Sequence, residues 1–293
     1  MIGALGVVVS SIVAIWGLPA AIQSANVAQQ AEDRERKKDK EEEEEERRHF
    51  VGPAISITAD EPNLLYGGGF AFVRRTTEAT GLPSAGFMTS EYVDWFTENK
   101  GVPIGERTVR VTVFPIHEGT VVIQNMRVTK RSCHPSRHTG TLVVPPAFGD
   151  SGGESLPTTV AFDLTEPVPR PWKLAGTTAD PRTGEPAHYL SGNAFAKTVY
   201  LDGGENFDAR AFDLTFLTGS QDCVFGVDVN VTTRGRGSEW YPVTFPGYAK
   251  LFEVAGNAGR YGTSVVSTSM EGRPQLGGPR SFRPRLSWTK GSF

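Results

Sequence analysis

The sequence predicts a mainly β protein, an Ig-like antiparallel β-sandwich behind an N-terminal transmembrane helix and a charged helical stalk. Three observations carry that expectation. Ile2–Ile22 (IGALGVVVSSIVAIWGLPAAI) holds no charged residue. Residues 23–49 are rich in charged side chains and contain no Gly or Pro. From Arg107 onward, apolar residues recur with a period of two between Gly- and Pro-bearing turns. Gly 33 and Pro 20 in 293 residues favour short strands joined by turns. The expected layout is a transmembrane helix over 1–22, a stalk over 23–49, a β domain over 50–262 with one short helix near 90–100, and a disordered basic tail over 263–293.

At about 1.5 Å per residue, a helix over Ile2–Ile22 spans roughly 31 Å, close to the apolar thickness of a bilayer. A cleaved signal peptide fits less well. Met1 leads directly into apolar residues without Lys or Arg, and no Ala-x-Ala follows, although Pro19 near the end is signal-like. Arg34, Arg36, Lys37, Lys38 and Lys40 all follow the span and none precede it. That asymmetry predicts an outside N-terminus and a cytoplasmic C-terminal domain, in a cell membrane crossed once. Trp16 fits the inner interface. Gly6, Ser10 and Ala14 recur every four residues, a spacing that lets two helices approach closely, so a homodimer through this face is one expectation.

In the stalk, Glu32–Arg36, Asp33–Lys37, Glu43–Arg47 and Glu44–Arg48 place acid before base at i,i+4. Each pair supports a helix by about 0.2–0.5 kcal/mol, while the Glu41–Glu46 run opposes it by self-repulsion. A helical stalk would be roughly 40 Å long. It has the charge of a coiled-coil surface but too few apolar positions for a heptad seam. A solvated spacer is the plain reading.

The β domain opens with a strand over Val51–Ala59, then one over Asn63–Arg75 bent at Gly67-Gly68-Gly69. Thr89–Gly101 is the helical signal: Thr89 or Ser90 caps it, Tyr92, Val93 and Phe96 share a face, and Gly101 ends it. Arg107–Phe114 puts Val109, Val111 and Val113 on one face, and with Thr120–Val128 it reads as a hairpin turning at His117-Glu118-Gly119. Further strands are expected at Thr141–Val144, Thr158–Leu164, Lys197–Leu201, Ala209–Leu217, Cys223–Thr232, Trp240–Phe245 and Tyr248–Val254. Cys223 alternates in step with Phe225, Val227, Val229 and Val231, on the core face. Cys133 falls in a polar loop, Arg131–His138. A strand thiol and a loop thiol need not meet, and a cytoplasmic location would keep both reduced, whereas an extracytoplasmic domain would carry a Cys133–Cys223 disulfide. The tail, Ser264–Phe293, is rich in Gly, Ser, Pro and Arg and reads as disordered.

The formal charge of -3 supplies no basic face for nucleic acid. Gly149-Asp150-Ser151-Gly152-Gly153 looks like the nucleophile string of chymotrypsin-like proteases. That chemistry needs a histidine base and a buried carboxylate upstream, and only His49 followed by Asp94 has the order. His49 stands at the end of the stalk, so a Gly/Ser turn explains the string without catalysis by Ser151. Cys133-His134, Pro135 and His138, flanked by Arg131 and Arg137, gather zinc-type ligands without a fourth, since Cys223 faces the core and His188 lies far along the chain. Arg234-Gly235-Arg236-Gly237 is a basic turn, and Asn230-Val231-Thr232 is a sequon on a strand. No phosphate-loop or dinucleotide string occurs, and no catalytic, cofactor or metal residue is assigned.

The span, the QSANVAQQAEDRERKK neck, the Ser-Glu-Tyr-Val-Asp-Trp-Phe helix and the RTVRVTVFPIHEGTVVIQNMRV pair together resemble a loose group of actinobacterial single-pass membrane proteins with a β domain and no assigned activity. The resemblance implies location and layout. The expected function is a membrane-anchored, non-enzymatic interaction module for a protein partner. The alternatives are an extracytoplasmic envelope-binding sandwich and a Ser151 hydrolase.

Overall fold

The computed structural model describes residues 33–40, 52–60, 69–77, 82–83, 86, 89–116, 119–145, 157–179, 186–203, 208–233, 236–244, 251–267, 272–282 and 287–291. The span Ile2–Ile22, its Gly6, Ser10 and Ala14 face, Trp16 and most of the stalk lie outside the described residues. Among the described residues no helix is long and apolar enough to cross a membrane. The chain divides into two units, Met1–Pro53 and Ala54–Phe293. In the first, residues 33–40 form a helix, α1, with every residue exposed.

The second unit is mainly β. Its largest sheet has seven strands, ordered β1 (Ile55–Asp60), β4 (Glu106–Pro115), β11 (Arg210–Leu217), β7 (Thr158–Asp163), β8 (Trp172–Ala179), β9 (Pro186–Asn193) and β19 (Ser287–Lys290). A second sheet orders β10 (Val199–Asp202), β5 (Thr120–Pro135), β12 (Gln221–Thr233) and β13 (Gly237–Pro242), with β14 (Phe252–Val254) also on β12. These two sheets share one core. Val109, Val111 and Val113 of β4 and Leu214 and Phe216 of β11 belong to the same buried cluster as Ile123 of β5 and Phe225, Val227, Val229 and Val231 of β12. The Phe216 ring lies 4.5 Å from Phe225, across the two sheets. The period-two patterns of β4 and β12 therefore bury the residues expected from the sequence.

Sheet assignment differs from expectation at the expected hairpin. β4 and β5 do not form a hairpin. β4 is paired on both edges, by β1 and β11, and β5 belongs to the other sheet. The sheets are also not wholly antiparallel, since β7 runs parallel to β11 and β19 parallel to β9.

A third sheet orders β17 (Gln275–Gly277), β16 (Thr263–Val266), β6 (Thr141–Val144), β2 (Phe70–Phe72) and β3 (Val102–Pro103). Helix α2 (Ser90–Glu98) packs on it: Tyr92 and Phe96 share a cluster with Phe70, Phe72, Val143 and Val265. Thr89 caps the start, its Oγ1 accepting from the Tyr92 N–H at 3.3 Å. At the other end Lys100 takes the left-handed conformation, φ 54, and the Gly101 N–H closes onto the Phe96 carbonyl at 3.0 Å. Gly101 is needed for closeness: a Cβ there would stand 2.2 Å from the Phe96 ring and 2.7 Å from Phe72.

The described residues of the tail are structured, contrary to the disorder its composition predicts. β16, β17 and β19 join sheets, and β15 (Arg260–Tyr261) pairs with β18 (Arg280–Ser281). β19 is held by a clamp on Asp163, which is 1% exposed. The Trp288 indole N–H donates to its carboxylate at 3.1 Å and the Lys290 ammonium ion-pairs with it, also reaching Glu166 at 2.9 Å. Burial alone would raise the Asp163 carboxyl, but the donors from Lys290, Thr165 and Trp288 hold it below its ordinary value. Asp163→Ala would leave those donors facing an apolar gap. It is expected to cost about 3 kcal/mol in urea unfolding and to raise proteolysis after residue 285, whereas a loss under about 0.5 kcal/mol would contradict the clamp.

Candidate functional site

The site grows from the first residues of β12. Cys223 faces the core and pairs in register with Cys133 of β5. Their Cα atoms are 4.1 Å apart and the two sulfurs are bonded. This corrects the expectation of two separate thiols. β5 runs on to Pro135, so Cys133 sits on a strand directly opposite Cys223 rather than in a loop.

Asp222, one residue earlier, points away from that core and is 7% exposed. Its Oδ2 accepts from the Arg137 N–H at 2.7 Å and pairs with His138 Nδ1 at 2.8 Å, and its Oδ1 accepts from the Gly256 N–H at 2.8 Å. Gly256 is required by that approach, because a Cβ there would fall 2.3 Å from the backbone of Ser220. Burial by itself would raise the Asp222 carboxyl. The hydrogen bonds from His138, Arg137, Ser136 and Gly256 outweigh it and hold the group at about 2. An ionised partner on Nδ1 fixes the ring: Nδ1 carries the proton and donates, which turns Nε2 the other way.

Nε2 faces a cleft of about 400 Å³. His138 is 5% exposed at its floor, and Glu253, following the first residue of β14, places Oε1 3.9 Å from Nε2. Arg74 and Val73 enter from the end of β2, Glu98, Asn99 and Lys100 from the C-terminal end of α2, Val102 from β3, and Arg137 from the segment before His138. Three cations and two carboxylates thus surround an imidazole whose orientation is set from behind. Gly140 lets the β6 lead-in press on the Val73–Arg74 backbone, where a Cβ would lie 2.4 Å from it.

The candidates named from sequence mostly have structural duties. Ser151 and its string, His49 and Arg234 lie outside the described residues, and Asp94 is exposed on α2. The zinc-type cluster is not assembled. Cys133 is bonded, His134 is exposed with Nε2 2.9 Å from Ser132 Oγ, and His138 turns to Asp222. Among the described residues no group of three or more His, Cys, Asp or Glu is placed to hold a metal. His188 bonds Glu106 at 2.8 Å, Arg236 lies 3.6 Å from Glu239, and the Asn230 amide donates to Ser238 at 2.8 Å while 5% exposed. Sequence reasoning noticed His138 but not its partners. The usable signal was Asp222, an acid placed beside a core cysteine at a strand start. Comparison with protein families, characterised proteins and solved structures returns no match.

The Asp222 carboxyl is depressed on folding, from an ordinary 3.8 to about 2. Its contribution to stability is complete above the unfolded value and is lost as pH falls through the folded one. That amounts to about 2 kcal/mol disappearing between about pH 4 and pH 2. Urea unfolding at pH 5 and pH 2.5 should show a fall for the natural chain that is smaller by about this amount in Asp222→Asn. Equal falls in both would contradict the assignment.

Proposed function

We propose that the chain is a membrane-anchored binding module, with its β domain outside the cytoplasm and the cleft beside His138 as its ligand-binding site. The observation that carries this reading is the Cys133–Cys223 bond, buried at Cys223 and set in the register of β5 and β12. Structural disulfides form and persist where the surroundings are oxidising, on the outer side of a cell membrane. The span Ile2–Ile22 serves as anchor, the charged neck as spacer, and Gly6, Ser10 and Ala14 as a face for self-association. The facing pair of large sheets supports an Ig-like sandwich in the loose sense, with mixed strand directions at its edges. The role proposed for it is recognition rather than turnover.

A second reading has its own support. The Lys and Arg residues that follow the span favour a cytoplasmic domain, where the two cysteines would be kept reduced. One experiment separates the two. Intact cells are shaved with protease while free thiols are blocked with a membrane-impermeant reagent, and peptides are then mapped without reduction. The proposal expects loss of the β domain to external protease and a linked peptide joining Cys133 to Cys223. Full protection of the domain, with both cysteines recovered as free thiols, would overturn it.

A further inference from the structure

The cleft combines two chemically different halves. Its floor holds two acceptors. Asp222 takes the proton-bearing Nδ1 of His138, so in the neutral ring Nε2 presents a lone pair, and Glu253 Oε1 stands 3.9 Å away. That separation is too long for a direct hydrogen bond and suits one donor group lodged against both. His138 itself is more than nine-tenths buried, so the lone pair is offered only to an occupant of the cleft. The rim is different. Arg74, Arg137 and Lys100 stand there against the single carboxylate of Glu98. A ligand that complements both halves carries an ammonium at one end and carboxylate at the other. The volume, about 400 Å³, lies in the range of small-ligand sites.

We infer that this cleft binds a small amino carboxylate, its ammonium donating to His138 Nε2 and Glu253 and its carboxylates meeting Arg74, Arg137 and Lys100. The inference rests on the proposed reading of the domain as a binding module and names the ligand class of that site. Charge-assisted hydrogen bonds at both ends make the recognition specific, because an analogue lacking the ammonium leaves the buried His138 Nε2 and the half-exposed Glu253 carboxylate facing each other without a donor. The excess of cations at the rim favours an amino acid with a second carboxylate. The amino group can belong to a free amino acid or to the amino terminus of a peptide, and the chemistry at the floor is the same.

The test uses the full chain in lipid nanodiscs and radiolabelled L-glutamate. Competitors are glutarate, which lacks the ammonium, N-acetyl-L-glutamate, in which it is blocked, and the dipeptide L-glutamyl-L-alanine. Saturable L-glutamate binding is expected, with glutarate and N-acetyl-L-glutamate competing at least tenfold more weakly. In Glu253→Ala the preference for L-glutamate over glutarate should shrink to less than threefold. Arg74→Gln, an exposed position, should weaken L-glutamate at least fivefold. A dipeptide that competes better than L-glutamate assigns a peptide terminus, and one that competes worse assigns the free amino acid. Absence of saturable binding, glutarate equal to L-glutamate, or an unchanged preference in Glu253→Ala would overturn the inference. None of these outcomes bears on which side of the membrane the domain occupies, so the two proposals fail separately.

Discussion

The β domain depends on one buried charge. Asp222 is an ionised carboxylate almost without water, and an isolated charge in that position would cost several kcal/mol. It is stable there because two other stretches of chain bring donors to its strand: the segment at Arg137 and His138, and the segment at Gly256. Next to it, the Cys133–Cys223 bond ties β5 to β12. A polar knot and a covalent link therefore share one end of the second sheet. Each restricts the same backbone, one by hydrogen-bond geometry and one by closing a loop that spans 90 residues of sequence.

That knot lies between the two packing regions of the domain, beside the backbone bonds that link Pro103 and Gly105 to Ala255. On one side is the large core, where Phe216 and Phe225 bring the seven-stranded sheet against the sheet of β12. On the other is the smaller cluster of Phe70, Phe72, Tyr92 and Phe96, which positions α2. The cleft lies between elements of both. Its floor comes from the knot and from β14, and its rim from the end of α2 and the end of β2. The arrangement explains why a loop residue such as His138 is among the most buried polar groups. Its environment is set by strands from distant parts of the sequence, while the local chain only delivers it.

How far the sequence announced this depends on the kind of signal. Period-two burial in β4 and β12 was legible, because alternation is a property of a single strand. The helix over Ser90–Glu98 and its capping by Thr89 were legible for the same local reason. Which strands meet was not. The residues around His117–Gly119 look like a hairpin turn, yet both edges of β4 are taken by β1 and β11, and nothing local records that competition. The tail misled through composition. Its Gly, Pro and Arg content masks a few apolar anchors, Val265, Leu276 and Trp288, and a lysine that meets a buried acid 127 residues earlier in the chain (290 against 163). The candidate site was half visible. His138 was named for metal chemistry, while Asp222 and Glu253 carried no motif and acquire meaning only through their distances to the imidazole.

The dependence on Asp222 is most directly tested by native-state hydrogen exchange on the full chain. If that carboxylate holds the three segments as one unit, the amides of Arg137 and Gly256, which both donate to it, exchange only through global unfolding and are as slow as the central amides of β12. In Asp222→Asn both amides should speed up together, well ahead of β12. If either amide in the natural chain exchanges a hundredfold or more faster than β12, the segments open independently and the account of a single buried anchor is wrong.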